Sequence, residues 1–179
     1  EGRWLFPGFV DVHVHGGGGA DTMDASLDAL RTIARVHGAH GTTSLLATTT
    51  NEAHERLMAA ARVVRQAMTL SGEPDWPGAR IAGLHLEGPY VNPRRAGAQN
   101  PAFMRPPDLA ELGELVAALE EGFRLITLAP ELPGAGEAIA FLRRCGVTVS
   151  MGHTDASLEE AAHALELGVT HVTHTYNAM

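Results

Sequence analysis

Lysine is absent from this 179-residue sequence: all 13 basic residues are arginines, set against 21 acidic residues, for a formal charge of -8. No basic block is dense enough to track a phosphate backbone, so nucleic acid is not an expected partner. Cysteine is almost missing too. The single Cys145 has no mate, which excludes an intrachain disulfide framework and a cysteine-based zinc site and fits a reducing compartment, so a cytoplasmic location is expected. Long apolar runs are lacking: none approaches the ~20 residues needed to cross a bilayer. The first residues also lack the basic, apolar and small-residue order of a signal peptide, so no membrane association is expected. An initiator methionine is missing as well. Glu1-Gly2-Arg3-Trp4-Leu5-Phe6-Pro7-Gly8 runs almost directly into a buried strand, and an upstream segment is expected to have been removed.

What is present is a regular alternation. Hydrophobic content of 45% supports one sizeable core. Strand-like apolar runs fall at 8–15, 42–48, 80–86, 123–128, 147–151 and 170–173, and amphipathic helical stretches at 26–37, 51–70, 107–121, 134–144 and 157–167. Asp24 or Ser26 is placed to cap the first helix and Asn51 the second, and Ser157 with Glu160 forms a capping box. Glycines after His37, Glu121, Cys145 and Leu167 read as helix stops. Strand and helix repeating in units of about 30 residues imply right-handed βαβ crossovers and a parallel sheet buried on both faces. Polar residues at the C-terminal ends of several strands, not at one crevice, favour a barrel over an open doubly wound sheet. The expected fold is therefore α/β: an incomplete (β/α)8 TIM-type barrel with about six βα units. A whole barrel needs about 250 residues, so residues 1–179 are expected to form one partial barrel ending in mid-fold.

The strand ends carry chemistry. His13 and His15 lie two residues apart on a strand, hence on one face, with Val14 turned the other way; Asp11 shares their face and could fix an imidazole tautomer. Gly16 to Gly19 leave the mouth open for a ligand. In the third strand His85 and Glu87 share a face. Glu87 stands at the last position and is the better ligand; His85 lies one layer deeper and reads as a hydrogen-bonded interior residue. His153 and His174 follow the fifth and sixth strands. Single histidines at strand ends are ordinary, but His13, His15, His153 and His174 with Glu87 all meet at one end of one barrel, the donor set of a divalent-metal hydrolase. Such an ion acidifies a bound water and polarises a carbonyl. A proton shuttle is not evident; Asp155 is the nearest carboxylate, and it could instead cap the helix that follows. The longest connection, 88–106, has the length of a substrate-contact loop.

Five segments together resemble the N-acetylglucosamine-6-phosphate deacetylases of the amidohydrolase superfamily: Pro7-Gly8-Phe9-Val10-Asp11-Val12-His13-Val14-His15-Gly16, His85-Leu86-Glu87-Gly88-Pro89-Tyr90-Val91, Thr127-Leu128-Ala129-Pro130-Glu131, Gly152-His153-Thr154-Asp155-Ala156 and Thr173-His174-Thr175-Tyr176-Asn177-Ala178-Met179. The resemblance implies metal-dependent hydrolysis of N-acetylglucosamine 6-phosphate to glucosamine 6-phosphate and acetate. By it, His153 and His174 with Glu87 hold one ion and His13 and His15 with Glu87 a second, zinc or iron. Asn177 and Ala178 touch the sugar phosphate, and Ala98 and Gln99 line the substrate loop; some relatives have histidine where Gln99 stands. It also implies a homodimer, a flanking β-sandwich and last barrel units absent from this chain, and an acid/base Asp past Met179. The alternatives are another cyclic-amide or N-acyl amidohydrolase, or an inactive metal-binding fragment. With no lysine available for carbamylation as a metal bridge, the Glu87 bridge fits better.

Overall fold

A computed structural model describes residues 2 and 4–178. Glu1, Arg3 and Met179, the last of them part of the expected sugar-phosphate segment, lie outside the described residues. Strand β1 (Phe9–Val14) is followed by a small hairpin, β2 (Gly16–Gly17) and β3 (Ala20–Asp21), and helix α1 (Leu27–Ala39). Then come β4 (Thr42–Thr49), α2 (His54–Leu70), β5 (Arg80–Glu87), α3 (Leu109–Leu119), β6 (Phe123–Leu128), α4 (Ala135–Arg144), β7 (Thr148–Met151), α5 (Leu158–Leu167) and β8 (His171–Val172). Six strands form one sheet in the order β1-β4-β5-β6-β7-β8, parallel throughout, so each crossover moves one strand along. The result is a curled half-barrel with helices in the crossovers, the incomplete TIM-type barrel that the alternation predicts.

The outer face of the sheet is the core. Leu45, Ala47, Leu84, Leu86, Ile126, Leu128 and Val149 pack among Leu30, Ile33, Leu57, Val64, Leu112, Leu115, Ile139 and Leu142 of the helices. Each fully buried side chain of this size contributes about 1.5–3 kcal/mol of hydrophobic stabilisation. The inner face is partly polar. The Nδ1 of His85 lies 2.9 Å from the Val12 carbonyl, tying β5 to β1 past the intervening β4 and so favouring curvature. Its Nε2 lies 2.8 Å from the Thr127 hydroxyl, which meets that of Thr173, which meets Ser150. A carbonyl can only accept, so Nδ1 carries the proton and Nε2 accepts from Thr127. Burial, and then the neighbouring His13, push His85 down to about 3, so it is neutral at ordinary pH. It behaves as the interior residue its depth suggests.

Local signals hold in part. Ser26 caps α1, the Ser157–Glu160 capping box forms, and Gly168 closes α5 at φ 105°. Gly38 does not stop α1, which runs on to Ala39; the left-handed residue is Gly41, at φ 98°. Nor does Asn51 cap α2, which starts at His54 after an uncapped Ala53. The glycine run is more than an open mouth. It makes the β2–β3 turn, where Gly18 and Gly19 take φ 64° and 83° and a Cβ on Gly16 would sit 2.2 Å from the Ala20 carbonyl oxygen.

Candidate metal centre

Four strands deliver the five expected ligands to one place. His13 and His15 come off the end of β1, Glu87 is the last residue of β5, and His153 and His174 sit just past β7 and β8. The last two take left-handed backbone at φ 49° and 57°. Side chains rarely tolerate that conformation, and it is retained where the surroundings enforce it, commonly at functional sites. Here it turns each ring back over the strand ends.

The four imidazoles converge on one carboxylate through the same ring atom. From Glu87 Oε1 the Nε2 atoms of His174, His153 and His13 lie at 2.9, 3.3 and 3.4 Å. From Oε2 the Nε2 of His15 lies at 3.1 Å. The Nε2 atoms of His13 and His15 are only 3.0 Å apart. Glu87 is 2% exposed, and a carboxylate there is costly to ionise without partners. Burial works against its charge, but the hydrogen bonds from His13, His15 and His153 dominate and hold its carboxyl well below the usual range. Burial likewise opposes protonation of His15 and His153, yet the Glu87 carboxylate outweighs it and raises both.

This donor set fits a divalent ion. Among the described residues, His13, His15 and Glu87 form one group whose ligand atoms lie within 4.8 Å of one another, and Glu87, His153 and His174 form a second. The His153 ring is oriented for it: Nδ1 lies 2.8 Å from the Arg95 carbonyl and so carries a proton there, which leaves Nε2, toward Glu87, as the atom that would release its proton to take an ion. The Nδ1 of His15 is buried with no hydrogen-bond partner.

The other sequence-selected residues divide. Ala98, Gln99 and Ala178 line a cavity of about 400 Å³ directly above Glu87, His153 and His174. Asn177 is exposed, and its described contact is a backbone bond from its N–H to the His174 carbonyl. Asp11 accepts from the backbone N–H of His13 at 3.1 Å rather than from a ring nitrogen, so it steadies the strand end and not a tautomer. Asp155 neither caps α5, which Ser157 does, nor stands free: Arg95 binds its Oδ1 at 2.7 Å and Arg94 its Oδ2 at 2.8 Å.

Three residues given no role in the site from sequence are part of its frame. Glu131 accepts from Asn92 (2.8 Å), from the Thr154 hydroxyl (2.5 Å) and from the Asp155 N–H (2.8 Å), joining the mouth loop to the His153 turn. Asn92 adds its own N–H to the His153 carbonyl at 2.9 Å. Asn51 pairs with Asn100 in the mouth loop. Their sequence signal is position, Glu131 and Asn51 just beyond strands and Asn92 in the long loop, with Glu131 also closing one of the segments that carry the family resemblance.

The amidohydrolase family model matches residues 4–179. The chain belongs to the amidohydrolase family. This family is metal-dependent, in keeping with the two His/Glu groups. Within it, the chain is 41% identical over 175 residues to the N-acetylglucosamine-6-phosphate deacetylase of Bacillus subtilis (strain 168), covering 98% of this chain and 44% of that protein. It is 37% identical over 179 residues to the N-acetylgalactosamine-6-phosphate deacetylase of Escherichia coli O157:H7, covering all of this chain and 46% of the relative. The crystal structure of N-acetyl-D-glucosamine-6-phosphate deacetylase from Mycobacterium smegmatis superposes with a TM-score of 0.90 at 38% identity, over 97% of this chain and 44% of that one. The chain thus spans a little under half the length of these amidohydrolase relatives.

Proposed function

We propose that the protein containing this chain is a metal-dependent deacetylase of N-acetylglucosamine 6-phosphate, releasing acetate and glucosamine 6-phosphate. The observation that carries this reading is the convergence of four imidazole Nε2 atoms on Glu87 beneath a cavity of about 400 Å³, within the size range of small-molecule sites. His13, His15 and Glu87 would hold one ion and Glu87, His153 and His174 the other, zinc or iron. Bound there, a divalent cation makes a water acidic enough to attack near neutral pH and polarises the amide carbonyl.

The chain's own residues would do the rest. Ala98 and Ala178 leave room over the ligands, and Asn177 with Ala178 would take the sugar phosphate. Arg95, through its carbonyl, keeps the His153 ring turned with Nε2 toward Glu87, where it would hold an ion. Glu131 and Asp155 are both occupied, by the mouth-loop frame and by the two arginines. A proton carrier at another strand end of the barrel is therefore part of the proposal. So are a cytoplasmic location and a homodimer.

Acetate release from N-acetylglucosamine 6-phosphate by the protein loaded with Zn(II) or Fe(II), and its loss on chelation, tests the reading. Unchanged rates in excess chelator would overturn it. A second substrate is favoured by one specific observation, the N-acetylgalactosamine-6-phosphate deacetylase among the relatives. The same assay with the 4-epimer decides between them by the ratio of kcat/KM.

A further inference from the structure

Asn51 looks like a helix cap and is not one. Its side chain reaches across to the mouth loop and pairs with the backbone of Asn100: Oδ1 accepts from the Asn100 N–H at 3.0 Å and Nδ2 donates to the Asn100 carbonyl. Its backbone N–H donates at 2.7 Å to Oε1 of Gln99. A backbone N–H can only donate, so the Gln99 oxygen must face it and the amide cannot be flipped. The Gln99 nitrogen is thereby aimed the other way, at Glu87 Oε2, 2.7 Å distant. Asn51 and Gln99 are 3% and 6% exposed. Gly88, at φ 72°, lets them close in: a Cβ there would lie 3.1 Å from the Cβ of Asn51 and 3.7 Å from Gln99 Oε1.

The bond to Oε2 matters because the terminal torsion of a glutamate is soft, with broad, roughly two-fold preferences. Left alone, the Glu87 carboxylate could turn so that both oxygens serve the same ion. With Gln99 occupying one lone-pair direction of Oε2, that oxygen keeps its other direction for His15, at 3.1 Å, while Oε1 faces His174 and His153 and, at 3.4 Å, His13. We propose that Gln99, braced by Asn51, is a positioning residue that holds Glu87 as a bridge, with Oε2 kept for the His15 side of the centre and Oε1 for the His153–His174 side. The inference rests on the metal-centre reading above. The mouth loop thereby gains a second role, because Gln99 and its neighbour Asn100 make loop closure and the setting of the bridge one event.

Calorimetric titration of the metal-free chain with Zn(II) tests this, with the two binding events assigned by a His13→Ala/His15→Ala double variant. Gln99→Met keeps the length of the side chain and removes both polar contacts. The expected result is a 10–100-fold weaker event at the His13–His15 position, the usual effect of removing a group that orients a metal ligand, with less than about a threefold change at the other. Asn51→Ala, which removes both side-chain bonds to Asn100 and leaves the backbone N–H that aims Gln99, should shift the same event in the same direction by less. It also keeps the test alive if Gln99→Met fails to fold. Equal weakening of both events, or no change in either variant, overturns the inference and leaves the metal centre standing. So does a parent chain that takes up a single ion. A parent chain that binds no Zn(II) overturns both.

Discussion

Glu87→Gln is the most informative single change, because one side chain is asked to serve two ions. The substitution keeps the shape, turns one acceptor oxygen into an NH2 donor that cannot ligate, and removes one negative charge from a side chain that is 3% exposed. A dication and a carboxylate with charge centres about 3 Å apart attract by about 11 kcal/mol at an effective dielectric of about 20. Desolvation returns several kcal/mol of this, leaving at least ~3 kcal/mol for each ion, or a loss of about 100-fold in Kd. The distinguishing feature is symmetry. Oε1 lies near His174, His153 and His13 and Oε2 near His15, so Glu87→Gln should weaken both positions, whereas His153→Ala should weaken only the one it shares with His174. Elemental analysis after dialysis against a fixed free Zn(II) concentration, together with calorimetry on both variants, reads this directly. Glu87→Gln protein that keeps both ions at parental affinity would refute the ligand assignment, and one that loses a single ion would refute the sharing.

Three further outcomes follow from the geometry. In chelator, the stability of the metal-free chain should fall as pH rises from about 7.5 to about 8.5; below that, His85, held down to about 3 when folded, pulls the other way because its unfolded form takes up a proton. Folding raises His15 and His153 above their ordinary 6.5, so their contribution is complete below that value and vanishes as pH climbs past their folded values. Glu87, held below its ordinary 4.5, contributes fully above that and erodes only in acid. A Tm that stays level or rises over that interval contradicts this. Gly152→Ala places a Cβ 2.8 Å from the Thr173 Cβ and 2.9 Å from the Thr127 methyl and should cost ~1–3 kcal/mol in a urea melt. Gly113→Ala, within α3 with nothing inside 4 Å of the new carbon, should gain ~0.5–1 kcal/mol, and the reverse order would sink the packing argument.

The convergence of His13, His15, Glu87, His153 and His174 was legible because strand geometry transmits it. Two-residue spacing puts His13 with His15 on one face, and a strand that ends in Glu87, or just before His153 or His174, places those residues at the same mouth. The resemblance to the deacetylases sharpened this to a pairing of ligands. The frame was not legible, because its contacts join residues far apart in the chain. Asn51 sits where a cap is expected, but its partners are 48 and 49 positions away. Glu131 reads as one more carboxylate after a strand until Asn92 and Thr154 are seen to close on it. Asp11 and Asp155 stand in sequence beside the residues they could serve, but in each case another donor claims the carboxylate: the His13 backbone for one, two arginines of the mouth loop for the other.

The bond from His153 Nδ1 to the Arg95 carbonyl also works in reverse. An ion seated on Nε2 draws electron density through the ring and makes Nδ1–H a better donor, so occupancy of the floor should tighten the loop above it. Loop order and metal affinity are then two readings of one coupling free energy, equal in both directions. Amide exchange across residues 92–100 should slow on loading by the same factor by which restraining that stretch raises the affinity for the ion.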